Sequence, residues 1–139
     1  DLHPRVRRQR QMCIRDSGTT VAIGEMQNGN AYEMALALTR YGFVVREIYA
    51  NLGPDDFVYL RHLAELSPET KVYSNLSPSM LYYEGDDVSI DVTIGKDAAY
   101  YHEQAAHLHW DEDIQPFGYA GVVSLLNRLE EVLLERKKR

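Results

Sequence analysis

Apolar and polar residues follow one another along this chain in segments whose period alternates between that of a strand and that of a helix. β-branched and apolar runs predict strands at 19–23, 43–50, 71–74 and 88–94, with a fifth short strand at 108–110. Segments with helical spacing of apolar residues separate these runs. Because strands and helices alternate, the pattern predicts an α/β domain whose sheet is mainly parallel and has four to five strands.

The predicted helix boundaries rest on residues with known terminal preferences. The first helix can begin at Asn28 or Asn30, and Gly42 follows it where a left-handed residue is favoured. Asp97 is predicted to cap a helix that runs to about His107. Two further helices are predicted from their apolar stripes: Phe57, Leu60, Leu63 and Ala64 in one, and Val122, Leu125, Leu126, Leu129, Val132 and Leu133 in another at 119–135.

Charge divides the chain near residue 17. Residues 1–17 contain five arginines and two aspartates, whereas the remainder contains 10 basic and 19 acidic residues. An acidic body argues against a nucleic-acid-binding protein, because phosphate contacts need clustered Lys and Arg. No apolar run is long enough to predict a membrane span. The single cysteine, Cys13, cannot form an internal disulfide, which favours a cytoplasmic location.

The basic N-terminal segment has an unusual composition. Its last residues, QMCIRDS at 11–17, resemble a translated sequencing adapter. We therefore interpret residues 1–17 as a non-native or disordered basic segment and residues 18–139 as the domain. Since the chain also lacks an initiator methionine, we expect it to be a piece of a longer protein.

Two segments that follow predicted strands are candidate ligand-binding sites. The turn GEMQNGN at 24–30 is neither a Gly-x-Gly-x-x-Gly fingerprint nor a P-loop, which favours a plain turn over an anion site. Lys96 follows Gly95 at the end of the fourth strand, where it can meet an anionic ligand or pair with Asp97 or Glu103.

Histidines form the densest group of candidate metal ligands. The spacing of His102 and His107 is one residue too long for the His-Glu-x-x-His pair of zinc peptidases. His107 and His109 can share a side if the chain is extended there, and both can equally be surface residues. The acidic run at 111–113 is typical of a solvated loop.

The second half of the chain carries a resemblance to a known family. The segments DVTIG at 91–95 and PFGYAGVVSLLNRLEEVL at 116–133 resemble the C-terminal domain of nitrogenase component 1 proteins, and so does the strand, helix and strand at 19–52. The resemblance implies a Rossmann-like three-layer fold. It also implies cofactor contacts at Gly95, Lys96, Gly118, Tyr119 and Gly121, with His107 and His109 as metal ligands.

The same resemblance implies a function for the full-length protein. It would be an oxidoreductase subunit that holds an iron-sulfur or related metal cluster and reduces a small substrate. Its partners would be a homologous component 1 subunit and an ATP-dependent iron-sulfur reductase, and this piece alone would hold no cluster. A non-catalytic cofactor-assembly scaffold of the same family and an unrelated α/β ligand-binding domain are the alternatives.

Overall fold

The computed structural model describes residues 18–85, 88–110 and 118–137 of the chain. Residues 1–17 and the acidic run at 111–113, which were interpreted from the sequence, lie outside this described part. The described residues form strands β1 (Thr20–Gly24), β2 (Val44–Tyr49), β3 (Lys71–Tyr73), β4 (Val92–Ile94) and β5 (Ala106–Leu108). The helices are α1 (Ala31–Arg40), α2 (Phe57–Leu66), α3 (Lys96–Tyr101) and α4 (Gly118–Lys137), with 3-10 turns at Pro54–Asp56 and Pro78–Tyr82.

All strands of the sheet run parallel, in the order β3-β2-β1-β4-β5. The chain builds outward from β1 to β3 and then crosses back to add β4 and β5 on the other side of β1. This order, with helices on both faces, is that of a Rossmann-like three-layer α/β domain. The predicted fold class is therefore confirmed.

The two faces of the sheet are covered unequally. We call the face that packs against α1, α2 and α4 the helical face; its core includes Val21, Ile23, Leu38, Leu63 and Leu129. We call the other the tyrosine face; its smaller core includes Ala22, Tyr49, Met80, Ile90 and Ala98, and α3 packs there. Right-handed crossovers in a sheet of this order require that division, with α1 and α2 on one face and α3 on the other.

A register shift decides which face two residues of β2 occupy. Val45 pairs with Val21, but the next pair is Glu47 with Ala22, so Arg46 is an extra residue. Such a bulge resets the alternation of side chains along the strand. As a result Glu47 and Tyr49 both lie on the tyrosine face, as their packing partners show.

Three predicted boundaries in the second half are wrong. The predicted strand 88–94 forms only as β4, Val92–Ile94, and the helix predicted to reach about His107 ends at Tyr101. The fifth strand pairs at Ala106–Leu108, two residues earlier than predicted. The helix ends early because His102, its C-terminal cap, turns away in a non-helical conformation to contact Glu47.

The predicted apolar stripes are partly confirmed. In α2, Leu63 is buried and Leu60 packs against the helical-face core, but Phe57 is 54% exposed and Ala64 is also exposed. In α4, Leu129 is buried, and Leu125, Leu126, Val132 and Leu133 pack against the same core. Within the described part of the chain, no helix combines the length and the apolar character that a bilayer crossing requires.

Candidate functional site

β1 and β4 are neighbours in the sheet, and the strand order changes direction between them. Their carboxyl ends therefore lie side by side at this point. In open parallel sheets, ligands bind in the crevice at such a point. Gly24 ends β1, and Gly95 follows β4 with a φ of 99°, a left-handed conformation that favours glycine. The elements that follow are the loop before α1 and the first turn of α3. This edge of the sheet is the candidate site.

The Asp97 side chain makes hydrogen bonds to two other segments of that edge. Its carboxylate accepts hydrogen bonds from the backbone N–H of Glu25 at 2.8 Å and of Met26 at 3.2 Å. It also accepts one from Asn75 Nδ2 at 2.9 Å. One side chain therefore joins the segments that follow β1, β3 and β4. The predicted role of Asp97 as a helix cap is wrong, since Gly95 is the cap of α3 and the Asp97 carboxylate reaches across to β1.

The two glycines leave room for this carboxylate. A Cβ on Gly24 would lie 1.8 Å from Asp97 Oδ1, which is far inside van der Waals contact. A Cβ on Gly95 would lie 3.0 Å from the same oxygen and 3.2 Å from the Cα of Gly24. Both glycines are thus needed for the close approach of β1 and the start of α3.

The hydrogen-bond network continues across β2 and β3. Asn51 Nδ2 donates to Glu25 Oε2 at 3.1 Å, and Asn51 Oδ1 accepts from Ser74 Oγ at 3.0 Å. Asn75 Nδ2 also donates to the carbonyl oxygen of Tyr49 at 3.2 Å. A repeated Asn-Leu-x-Pro sequence, at 51–54 and 75–78, carries both asparagines. That repeat is the signal from which the sequence could have predicted this role for Asn51 and Asn75.

The N-terminus of α1 is also satisfied internally. Asn30 Oδ1 accepts from the backbone N–H of Tyr32 at 2.9 Å and of Glu33 at 3.0 Å, and Asn30 Nδ2 donates to Asp56 Oδ1. Asn30 is therefore the cap of α1, one of the two residues predicted for that role. Since Asp97 and Asn30 take these N–H groups, the plain-turn interpretation of GEMQNGN is the one that fits.

Burial shapes the chemistry of Tyr32, which closes α1 against β2. Its hydroxyl donates to the carbonyl oxygen of Ala50 at 2.9 Å in a buried setting. Burial, with a smaller contribution from the charge of Asp56, raises the pKa of Tyr32 to about 12. The phenol therefore stays protonated and keeps donating at neutral pH.

Of the remaining predicted contact residues, one follows β4 at the same edge and three belong to α4. Lys96, the first residue of α3, is exposed beside Gly95. Gly118, Tyr119 and Gly121 form the first turn of α4. At the other end of that helix, Arg136 Nη1 donates to the carbonyl oxygen of Asp91, just before β4 begins. The N-terminus of α4 is consequently directed toward the carboxyl edge.

His107 and His109 lie side by side at the end of β5. Their ring centroids are 4.4 Å apart and the rings are nearly perpendicular, which confirms the prediction that they share a side. His107 Nδ1 lies 3.0 Å from Thr93 Oγ1, whose hydroxyl points toward the carbonyl oxygen of Ala106. Which of these two atoms donates depends on the tautomer of His107.

The geometry limits what this histidine pair can hold alone. Among residues 18–85, 88–110 and 118–137, no group of three or more His, Cys, Asp or Glu side chains is arranged to bind a metal ion. Two imidazoles fit the donor set of a metal site, but other ligands would have to come from elsewhere.

His102 has a different environment from the other two histidines. Its Nε2 lies 2.7 Å from Glu47 Oε1, and His102 and Glu47 side chains are 9% and 1% exposed. That contact is an electrostatic one, because Oε1 has no donor in hydrogen-bonding geometry in the described part of the chain. Glu47 Oε2 accepts from Tyr49 at 2.5 Å and from Tyr83 at 2.9 Å. The sequence signalled this site only by an acidic residue within an apolar strand.

Tyrosine rings enclose the Glu47 carboxylate. The ring of Tyr49 stacks on Tyr73 at 5.3 Å and on Tyr101 at 4.7 Å, and Tyr83 packs at an angle to all three. Burial, followed by the hydrogen bond to Glu47 and the Glu47 charge, raises the pKa of Tyr49 well above its usual value. We call Glu47, Tyr49, Tyr83 and His102 the Glu47 cluster.

No family model, no curated protein and no solved structure matches this chain. The interpretation of the site accordingly rests on its own geometry.

Proposed function

We propose that this chain is the Rossmann-like domain of a nitrogenase component 1-type subunit and forms one wall of a metal-cluster site at the carboxyl edge of its sheet. The observation that supports the proposal is the difference between the two sides of that edge. The β1 side is closed by Asp97, whereas the β5 side carries the adjacent imidazoles of His107 and His109.

The closed side argues against the commonest ligand of this fold. A dinucleotide places its pyrophosphate against the N–H groups of the loop after β1. Here the N–H groups of Glu25 and Met26 already donate to Asp97, and a phosphate would bring a second negative charge to the same place. The fold therefore supports binding at the β4 and β5 side, in line with the resemblance of the DVTIG segment.

The residues of this wall would act on a cluster in distinct ways. His107 and His109 offer imidazole nitrogens for coordination or for proton transfer, and Lys96 offers a positive charge to an anionic cofactor or substrate. Gly95, and Gly118 and Gly121 on either side of Tyr119, would let the backbone approach the group closely. A bound iron-sulfur or related cluster would supply one-electron chemistry. Remaining ligands would come from upstream domains or a homologous partner subunit.

The proposal extends to the assembly. Electrons would be delivered by an ATP-dependent iron-sulfur reductase in the cytoplasm, and the substrate would be a small molecule. A cofactor-assembly scaffold of the same family would share the wall and differ in turnover. An unrelated α/β ligand-binding domain would share only the architecture.

The test starts from the complete gene. We expect at least about three spaced cysteines in the upstream sequence, as cluster ligation requires. The full-length protein, purified without oxygen together with its partner subunit, is then assayed for iron and for substrate-dependent electron consumption with the reductase. Iron with turnover supports the reductase, and iron without turnover supports the scaffold. Absence of both upstream cysteines and iron would overturn the proposal.

A further inference from the structure

The Glu47 cluster has the arrangement of a proton-accepting site beside an oxidisable ring. Tyr49 is fully buried, and its hydroxyl donates to the Glu47 carboxylate across 2.5 Å. So short an O–H···O distance is typical of a charge-assisted hydrogen bond. His102 Nε2 lies 2.7 Å from Glu47 Oε1 and 3.2 Å from the same hydroxyl, so the imidazole and the hydroxyl both contact the carboxylate that would take the proton.

A line of aromatic rings connects Tyr49 to the surface. Tyr100 is 74% exposed, and its ring lies 5.2 Å from that of Tyr101 in an edge-on contact. Tyr101 in turn stacks on Tyr49 at 4.7 Å. Each step joins rings in contact, so an electron can pass from the buried ring to the surface without crossing a gap of aliphatic side chains.

We propose that Tyr49 is a redox-active tyrosine that gives up one electron through Tyr101 and Tyr100 to a metal-centred one-electron oxidant at the surface. Tyr49 loses one electron and its phenolic proton. The electron reduces the oxidant by one unit, and the proton moves along the existing hydrogen bond to Glu47. A neutral phenoxyl radical and a protonated carboxyl group remain.

The surroundings of Tyr49 favour the loss of the electron and the proton together over the loss of either one alone. A buried phenol cannot release its proton to water, and burial raises the pKa of Tyr49, which disfavours the phenolate. Electron loss alone would leave a radical cation in an apolar core. When the proton stays on Glu47, the buried negative charge is cancelled instead. This inference does not depend on the metal cluster of the proposed function.

The experiment uses the 139-residue chain and a photogenerated ruthenium(III) polypyridyl complex as the oxidant. Laser flash with an irreversible quencher should yield a tyrosyl radical by transient absorption and by electron paramagnetic resonance. Because the proton acceptor is internal, the oxidation rate should not depend on the concentration of buffer base, as it would if that base took the proton. It should be slower in heavy water.

Two variants assign the radical. Tyr49→Phe should abolish the long-lived signal, whereas Tyr59→Phe, on the half-buried ring that packs against the helical face, should keep it. Glu47→Gln should lower the oxidation rate by about a hundredfold, the lower end of what a positioned base supplies. Circular dichroism checks that each variant is folded. The same radical in Tyr49→Phe, or no long-lived radical and no solvent isotope effect in the unmodified chain, would overturn the proposal.

Discussion

Single residues decide how closely the segments of the carboxyl edge approach one another. The Asp97 carboxylate accepts from the N–H groups to which a bound anion would otherwise bind. Gly24 and Gly95 leave room for that carboxylate. Neither glycine was predicted to act on Asp97, because Gly24 is more than 70 positions from Asp97 in sequence and Gly95 approaches Gly24 only after the sheet has formed. The sequence predicted a site at this edge of the sheet, but not that Asp97 closes one side of it.

Replacing Gly24 with alanine tests the packing around Asp97. The new Cβ would lie 1.8 Å from Asp97 Oδ1, so the carboxylate must move and lose its backbone donors. We expect the free energy of unfolding to fall by about 1–3 kcal/mol, as for other overpacked sites. Urea denaturation followed by circular dichroism measures the change.

Gly53→Ala is the matched control for that substitution. A Cβ at Gly53 would meet its nearest neighbour, Asp56 Oδ2, at 3.4 Å, an ordinary contact. We expect a loss of about 0.5 kcal/mol or less. Equal losses in the two variants would show that Asp97 does not occupy the space beside Gly24.

The buried phenol of Tyr32 predicts a loss of stability at alkaline pH. A tyrosine in the unfolded chain loses its proton near pH 10.0, whereas Tyr32 in the folded chain has a pKa of about 12. Between these values the folded chain binds a proton that the unfolded chain has lost. The free energy of unfolding should therefore fall as pH rises, by up to about 1.4 kcal/mol per pH unit for this group.

Tyr32→Phe isolates the contribution of Tyr32 to this pH dependence. The variant should show a smaller slope between about pH 10 and pH 12, and Tyr49 and Tyr101, whose pKa values are also raised, would contribute to the slope that remains. The Tyr32 contribution should be fully present below pH 10. An unchanged slope in Tyr32→Phe would contradict the assigned environment of this phenol.

At the scale of elements, α3 is the shortest helix described and is held at both ends. Near its N-terminus Asp97 bonds to the loop after β1, and at its C-terminus His102 contacts Glu47 of β2. The sequence predicted a helix here but extended it to about His107. Helical propensity carries no information about Glu47, the distant partner that ends α3 at Tyr101.

His102→Ala measures how firmly the end of α3 is anchored. The substitution leaves the Glu47 carboxylate buried without its imidazole neighbour, while Tyr49 and Tyr83 still donate to it. We expect the free energy of unfolding to fall by about 1–3 kcal/mol. His62→Ala, at an exposed position of α2, should change it by about 0.5 kcal/mol or less. Comparable small changes in both variants would argue against the anchoring role.

The strands divide in how well periodicity predicts them. β1 and β2 were predicted to within about one residue at each end because most residues of each strand are buried. The segment 88–94 alternates throughout, but only Val92–Ile94 pairs with β1. Ile90 is buried against the tyrosine face instead. Alternation reports burial of one side, and pairing depends on neighbours that the sequence does not reveal.

At the scale of the whole molecule, the sheet order brings chemically different groups to one edge. The edge is closed by Asp97 on the β1 side and carries His107 and His109 on the β5 side. The tyrosine face beneath it contains a separate buried carboxylate. The fold class followed from the alternation of elements, whereas the proposed cluster site would need ligands that the described residues do not supply.

The most direct test of the proposed cluster wall is the iron content and electron paramagnetic resonance spectrum of the full-length protein, purified without oxygen. His107→Ala and His109→Ala should each alter the cluster signal or reduce retained iron, since loss even of a residue that only supports a metal ligand weakens metal binding by about 10–100-fold. His62→Ala should match the unmodified protein. A cluster signal and iron content unchanged in both edge variants would contradict the placement of a cluster against this wall.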